Sequence, residues 1–287
     1  MGEFPVMNSG LLILREMRDE LPNSERKIAE YILRNPNETL LMTASNLGEK
    51  SGTSSAAVIR LCKSLKLKGF QDLKIRVAGD LQREYSVDER DIKKDESIES
   101  ILNKVTKVSK HTIQETADLL DAEQLRQAVE LILQSKNIHL FGVGASGIAT
   151  VDAQQKFLRI NRNAIVFPDL HTAATTIANG TKNDLLIAIS FSGETREVIK
   201  LLDIAKKVGM KTISLTKYGH STVAKLAEIN LFTSATKEAN FRSGATSSRL
   251  AQLHVIDILF MCVASKTFDE TVEYLDSTHQ VIKSLYE

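Results

Sequence analysis

Between Asn137 and Phe232 five short apolar runs alternate with helical stretches, and no other feature of the chain limits its fold so strongly. The runs are Ile138 to Phe141, Ala164 to Phe167, Leu185 to Ile189, Thr212 to Leu215 and Ile229 to Phe232. Helical patterns lie between them, near Gly147 to Asn161, Thr172 to Asn179, Thr195 to Val208 and Ser221 to Lys225. Runs that are apolar almost throughout, rather than at every second residue, suit strands covered on both faces, and strand-helix alternation makes those strands parallel. The expectation is a three-layer α/β domain with a parallel sheet. Helical segments at about Ser100 to Leu119 and Ala122 to Gln134 lead into it, and a final amphipathic helix runs from about Ser247 to Ala264.

The first 81 residues have a different period. From Leu11 to about Leu81 apolar residues recur at helical spacing with no strand-like alternation, which predicts an all-helical domain. Ser24 is placed to cap a helix reaching Asn35, with Ile28, Ala29, Ile32 and Leu33 inward, and Pro36 ends it. Residues 44 to 63 read ASNLGEKSGTSSAAVIRLCK. Leu47, Val58 and Leu61 can pack one helix on the next, Gly48 permits close approach of the two backbones, and Gly52 supplies the turn. This is the spacing of a helix-turn-helix. Thr53 or Ser54 caps the second helix, which presents Ser54, Ser55, Ala56, Ile59, Arg60 and Lys63 to a DNA major groove.

Formal net charge is only +1 over 287 residues, so DNA affinity has to come from local clustering. Between Arg60 and Arg76 the cations are Arg60, Lys63, Lys66, Lys68, Lys74 and Arg76 against Asp72 alone, a local charge of +5. The competing reading of this segment is an ordinary helical hairpin with a solvated lysine face. The mixed-charge stretch SVDERDIKKDESIE suits an exposed connector. The expected organisation is a DNA-binding domain over residues 8–85, a linker over 86–99 and an α/β domain over 100–287. Cys62 and Cys262 have neither metal-ligand spacing nor a disulfide framework, which fits a reducing cytoplasm. No apolar run reaches the roughly 18 to 20 uninterrupted residues of a membrane span. No metal, no cofactor and no membrane partner is expected.

Two loops of the α/β half carry the chemistry. Gly142-Val143-Gly144-Ala145-Ser146-Gly147 follows the first strand, and Ser190-Phe191-Ser192-Gly193-Glu194-Thr195 follows the third. Both precede helices, where free amides and the helix dipole favour an anion. The hydroxyls of Ser190, Ser192 and Thr195 complete a neutral cradle for phosphate. The first loop also spells GxGxxG, and Asp169 near the end of the second strand stands where an acidic residue would meet a ribose, so a dinucleotide is the competitor on that loop. Three hydroxyls within six residues of the second loop favour a compact monophosphate.

With Gly142 to Ser146 followed by SFSGET, the α/β half resembles the sugar isomerase, or SIS, domain, and its union with a helix-turn-helix resembles the RpiR/MurR family of bacterial regulators over roughly Leu11 to Tyr286. The resemblance implies a phosphosugar effector held by Gly144, Ala145, Ser146, Ser190, Ser192, Gly193, Glu194 and Thr195. Residues 248 to 253, SRLAQL, resemble the family's final helix, and the resemblance brings Arg249, Glu238 and His171 in as residues that complete the sugar pocket. Regulators similar to Gram-positive MurR suggest N-acetylmuramic acid 6-phosphate, or another hexose 6-phosphate, as effector. Operator DNA and a second copy of the chain, as a homodimer or homotetramer, are the other expected partners, and repression of a sugar operon the expected role. SIS folds also serve aldose-ketose isomerases and an etherase, for which Glu194, Glu238, His171 and His254 are the available bases. His254 shares helical spacing with Leu250 and Ile258, and no residue set forces a catalytic pair, so no catalytic residue is assigned.

Overall fold

The computed structural model describes residues 9–81, 94–234 and 245–286. These form two compact units, the first extending to Leu119 and taking in Tyr218–His220, the second holding the remainder from Leu120.

The regular elements of the first unit are all helical: α1 (Gly10–Met17), a 3-10 turn (Arg18–Glu20), α2 (Asn23–Arg34), α3 (Pro36–Leu40), α4 (Ala44–Lys50), α5 (Ser55–Ser64), α6 (Phe70–Leu81) and α7 (Ile98–Leu119). Ile28, Ala29 and Ile32 on α2 are fully buried, as the spacing predicts, and pack with Leu14, Leu47, Val58, Leu61 and Leu73. Burying side chains of this size is worth about 1.5–3 kcal/mol each. Ser24 is not the cap of α2. The helix begins one residue earlier, behind Pro22, which offers no side-chain acceptor. Pro36 opens α3, where its missing N–H costs nothing.

The expected linker and domain start need adjusting at α7. Residues 86–93 lie outside the described residues, the helix begins at Ile98 rather than near Ser100, and α7 groups with the first unit instead of the second. Glu115 explains the docking: its carboxylate accepts from Arg15 of α1 at 3.2 Å and lies 2.7 Å from the His111 Nε2 one turn back. Leu119 then joins the helical core.

In the second unit α8 (Ala122–Gln134) precedes β1 (Asn137–Gly142), α9 (Ala145–Arg159), β2 (Ala164–Val166), α10 (Leu170–Ala178), β3 (Asp184–Ile189), α11 (Arg196–Lys207), β4 (Lys211–Lys217), α12 (Thr222–Leu226), β5 (Ile229–Thr233), α13 (Thr246–Lys266) and α14 (Phe268–Ser284). The five strands are all parallel and lie in the order β2-β1-β3-β4-β5. In β3 every residue is buried. Leu185, Ile187 and Ile189 point into the core that includes Phe157 of α9 and Val255 and Leu259 of α13, while Leu186 and Ala188 face Ile177 of α10 and Val198 and Leu201 of α11. That two-sided cover is why the runs read as continuously apolar. The all-helical unit followed by a three-layer parallel α/β unit is the expected fold class.

Two elements at the C-terminus depart from expectation. The last helix of the sheet layer continues to Lys266, and α14 follows it after one residue. Thr246–Lys266 is long and apolar enough to cross a membrane by length and composition. In this fold it lays Ala251, Val255, Ile256, Leu259 and Val263 against α8, α9 and β5 as a core helix.

Candidate functional site

In the first unit the turn between α4 and α5 is fixed atom by atom. The Thr43 hydroxyl caps α4 by accepting from the Asn46 N–H at 3.2 Å. The Ser51 hydroxyl donates to the Leu47 carbonyl at 2.7 Å, Gly52 takes φ +65°, and the Thr53 N–H returns to the Gly48 carbonyl at 2.7 Å. Ser54, in extended backbone, caps α5 by accepting from the Ala57 N–H. Gly48 has no room for a side chain, since a Cβ there would stand 2.6 Å from the Ser54 carbonyl carbon.

The resulting α5 buries Ala57, Val58, Leu61 and Cys62 and leaves Ser54, Ser55, Ala56, Ile59, Arg60 and Lys63 exposed. Thr53 differs from that set. Its hydroxyl reaches the Gly48 carbonyl and the Ser51 hydroxyl, so it serves the turn. Of the basic run, Lys74 donates to the Met42 carbonyl and sits over the Phe70 ring, and Arg76 pairs with Asp72 at 2.9 Å. Lys63, Lys66 and Lys68 remain exposed, and Arg60 is 57% exposed with its Nε 4.0 Å from the buried Glu25 carboxylate. Lys66 holds φ +55° just past the end of α5, the position glycine usually takes.

In the second unit β1 is the pivot of the sheet. The chain leaves β1 for β2 on one side and later enters β3 on the other, so the loops after β1 and β3 part at the C-terminal edge and leave a crevice. Both loops are built tightly. A Cβ on Gly142 would meet the Ser146 carbonyl oxygen at 2.8 Å, and Gly144 takes φ +61° ahead of α9. In the other loop a Cβ on Gly193, at φ +68°, would collide with Ser221. Neither α9 nor α11 has a side-chain cap at its N-terminus, which leaves first-turn amides for an anion.

The hydroxyls are organised around those amides. Ser190 Oγ accepts from the Gly193 N–H at 3.1 Å and lies 2.7 Å from Thr195 Oγ1. Ser192 Oγ accepts from the Glu194 N–H and is exposed. Ser146, on the first turn of α9, accepts from Gln252 Nε2 of α13 at 3.0 Å. Gln252 is a residue that the sequence reading missed, although it stands inside the SRLAQL segment; glutamine on an apolar helix gave no loop signal. Arg249 lies one turn before it on α13 and is half-buried.

Other residues have local tasks. Glu194 is spent on α12: its carboxylate accepts the Thr222 N–H at 2.8 Å and the Thr222 hydroxyl at 2.7 Å, and these bonds hold it below the usual carboxylate range. A base for isomerisation would need the opposite shift. Asp169, the candidate ribose ligand, caps α10 through Thr172, and the same kind of bonds lower its pKa. His171 is exposed in the first turn of α10, at the same sheet edge as the crevice. His254 is half-buried on α13. Glu238 lies outside the described residues. Among the described residues there is no cluster of three or more metal-type ligands.

Comparison with known proteins agrees with both halves. Residues 8–84 match the model of the helix-turn-helix domain of the rpiR family, and residues 131–262 match that of the SIS domain. A Bacillus subtilis protein described as the uncharacterized HTH-type transcriptional regulator YbbH is 48% identical, covering 96% of this chain and 98% of its own. The HTH-type transcriptional regulator HexR of Pseudomonas aeruginosa is 30% identical over 84% of each chain. Among solved structures, the Vibrio vulnificus NanR protein complexed with ManNAc-6P superposes with a TM-score of 0.61 at 29% identity, covering 96% of this chain and 99% of that one. The chain therefore belongs to the RpiR family of DNA-binding transcriptional regulators, an rpiR-type helix-turn-helix joined to a sugar-phosphate-binding SIS domain.

Proposed function

We propose that this protein is a cytoplasmic repressor of a sugar-utilisation operon, released from its operator by an N-acetylated hexosamine 6-phosphate. The observation that supports the effector class most is the β1/β3 switch point, where two uncapped helix N-termini and the loops that carry the hydroxyls of Ser146, Ser190, Ser192 and Thr195 lie at the same edge of the sheet. Its likeness to NanR, complexed with ManNAc-6P, narrows the sugar to trial compounds of that class, with N-acetylmuramic acid 6-phosphate beside it. Arg249, Glu238 and His171 are proposed to meet the sugar rather than the phosphate.

Ser54, Ser55, Ala56, Ile59, Arg60 and Lys63 are proposed to face the major groove, with Thr53 shaping the turn behind them. The effector switches the protein through its different affinity for DNA-competent and DNA-incompetent states, and linkage requires DNA to change effector affinity by the same factor. Two-fold operators call for a dimer. Ile148, Val151 and Leu158 form an exposed apolar stripe on α9, and α14, packed on α9, adds exposed Phe268 and Val272. That face is the proposed contact of a homodimer or tetramer.

A thermal-shift panel tests the effector. Ligand at a hundred times its Kd stabilises the native state by about 2.7 kcal/mol. A rise with one N-acetylated sugar 6-phosphate, lost in Ser192→Ala and absent with NAD, is the expected result. No rise with any sugar phosphate refutes the effector assignment. Arg60→Ala is expected to weaken operator binding by the 1–3 kcal/mol of a lost base-edge contact, about five- to 150-fold. Reporter expression that falls on deletion of the gene would overturn repression, and micromolar monomers in light scattering would overturn the dimer. Conversion of the sugar phosphate on incubation with the protein would support an isomerase or etherase instead.

A further inference from the structure

Gln252 is buried to 1% exposure in the second turn of α13, on a face that is apolar from Val255 onward, and its amide nitrogen lies 3.0 Å from the hydroxyl oxygen of Ser146, itself 8% exposed. An amide nitrogen only donates, so Ser146 must accept through Oγ. The Ser146 hydrogen is then released from its neighbours and free to turn into the crevice. A hydroxyl that already accepts an N–H bond is also a stronger donor, because bonds in a chain polarise one another in a low-dielectric site. The opposite loop repeats the arrangement, with Ser190 Oγ accepting from the Gly193 N–H.

We propose that Gln252 is a positioning residue of the phosphosugar site: it keeps the Ser146 hydroxyl directed as a donor to a phosphoryl oxygen. The proposal rests on the reading of the crevice as a phosphate site and adds to it a residue outside both loops. It also gives a reason for a buried glutamine on α13, where an apolar residue would pack without needing a partner. A carboxylate at the same place would accept instead, drawing the Ser146 hydrogen away from the ligand and adding a negative charge beside it.

The test is isothermal titration of the full chain with N-acetylmannosamine 6-phosphate, and with N-acetylmuramic acid 6-phosphate if the first does not bind. Gln252→Met keeps the length and removes the donor; Gln252→Glu replaces it with an acceptor. Each is expected to weaken binding about tenfold or more while circular dichroism and Tm stay close to the parent's. In the Ser146→Ala background, Gln252→Met is expected to add less than a twofold loss. Gln252→Glu is expected to regain affinity relative to the parent on moving from pH 7.5 to 5.5, as its carboxyl takes up a proton. Additive losses in the double variant, or parent-like affinity of Gln252→Glu at pH 7.5, would overturn the positioning role while leaving the effector site standing. Failure of the parent to bind either sugar phosphate would overturn the effector reading and this role with it.

Discussion

Replacing Gly48 with alanine separates packing from helix propensity, because the two predict opposite signs. Alanine in place of glycine inside α4 gains about 0.8–1.0 kcal/mol in propensity. Against that, the added Cβ would stand 2.6 Å from the Ser54 carbonyl carbon and 2.7 Å from the Ser55 nitrogen. Ordinary contact begins at 3.4 Å, so α5 has to retreat by roughly 0.8 Å, and both obstacles are backbone atoms with no rotamer to change. Overpacking of this kind costs about 1–3 kcal/mol, and the rigid partner puts this site towards the upper end. The net expectation is destabilisation of about 1–2 kcal/mol, read as a shift of the urea midpoint with unchanged slope. The shift of α5 also moves Ser54, Ser55 and Arg60, so operator affinity measured by fluorescence anisotropy at fixed salt should fall by more than the loss of folded protein explains. The sugar-phosphate response of the second unit should be retained. A variant as stable as the parent, with the same operator affinity, would refute the close approach of the two helices.

Three further outcomes follow from particular residues. Lys66→Gly removes a left-handed lysine that costs about 1–2 kcal/mol, so stability should rise by about 1 kcal/mol after the entropy of the added glycine, while the salt slope of DNA binding should fall by about 0.9 if the lysine meets a phosphate; an unchanged melting temperature would refute the strain. His139 is buried against Phe167 with both ring nitrogens unpartnered, and burial, opposed by Asp184, lowers its pKa from 6.5; the unfolded chain therefore protonates first, stability declines as the pH falls below 6.5, and His139→Leu should raise stability and flatten that decline in urea melts at pH 7 and 5.5. Burial pushes the Cys62 thiol up to about 11, so native-state alkylation at pH 8 followed by mass spectrometry should mark Cys262 well before Cys62, and equal rates would refute the buried placement.

What was legible in the sequence was what periodicity and loop chemistry encode. The unbroken burial of β3, written as a continuous apolar run, and the close-approach glycines at 48 and 142, whose nearest obstacles lie within seven residues along the chain, are local signals with local causes. Features set by tertiary contact were not legible. The α7 face against the first unit is largely polar, with Thr112, Glu115, Thr116 and Asp118 buried, so no apolar stripe announced where it docks. Glu194 reads as a site carboxylate beside the phosphate loop, and only the spatial arrival of Thr222 shows that α12 uses it. Gln252 becomes a candidate site residue only once α13 is laid on α9, a pairing that no short motif contains.

Both proposed ligands are anions, yet the chain is almost neutral, and the two units solve the problem by different physics. On the proposed DNA side the cations Arg60, Lys63, Lys66 and Lys68 are exposed, and attraction by exposed cations depends on counterion release and weakens steeply as salt is added. In the crevice the proposed donors are backbone amides at two helix N-termini and hydroxyls that already accept a bond, as at Ser146 and Ser190. Fixed dipoles next to a partly buried anion are screened far less than exposed charges, so moderate salt should loosen the operator well before it loosens the effector. A nearly neutral regulator gains from this division: it avoids the nonspecific hold on nucleic acid that a uniformly basic surface would bring, and it leaves the proposed phosphate site of the second unit to work without a basic surface around it.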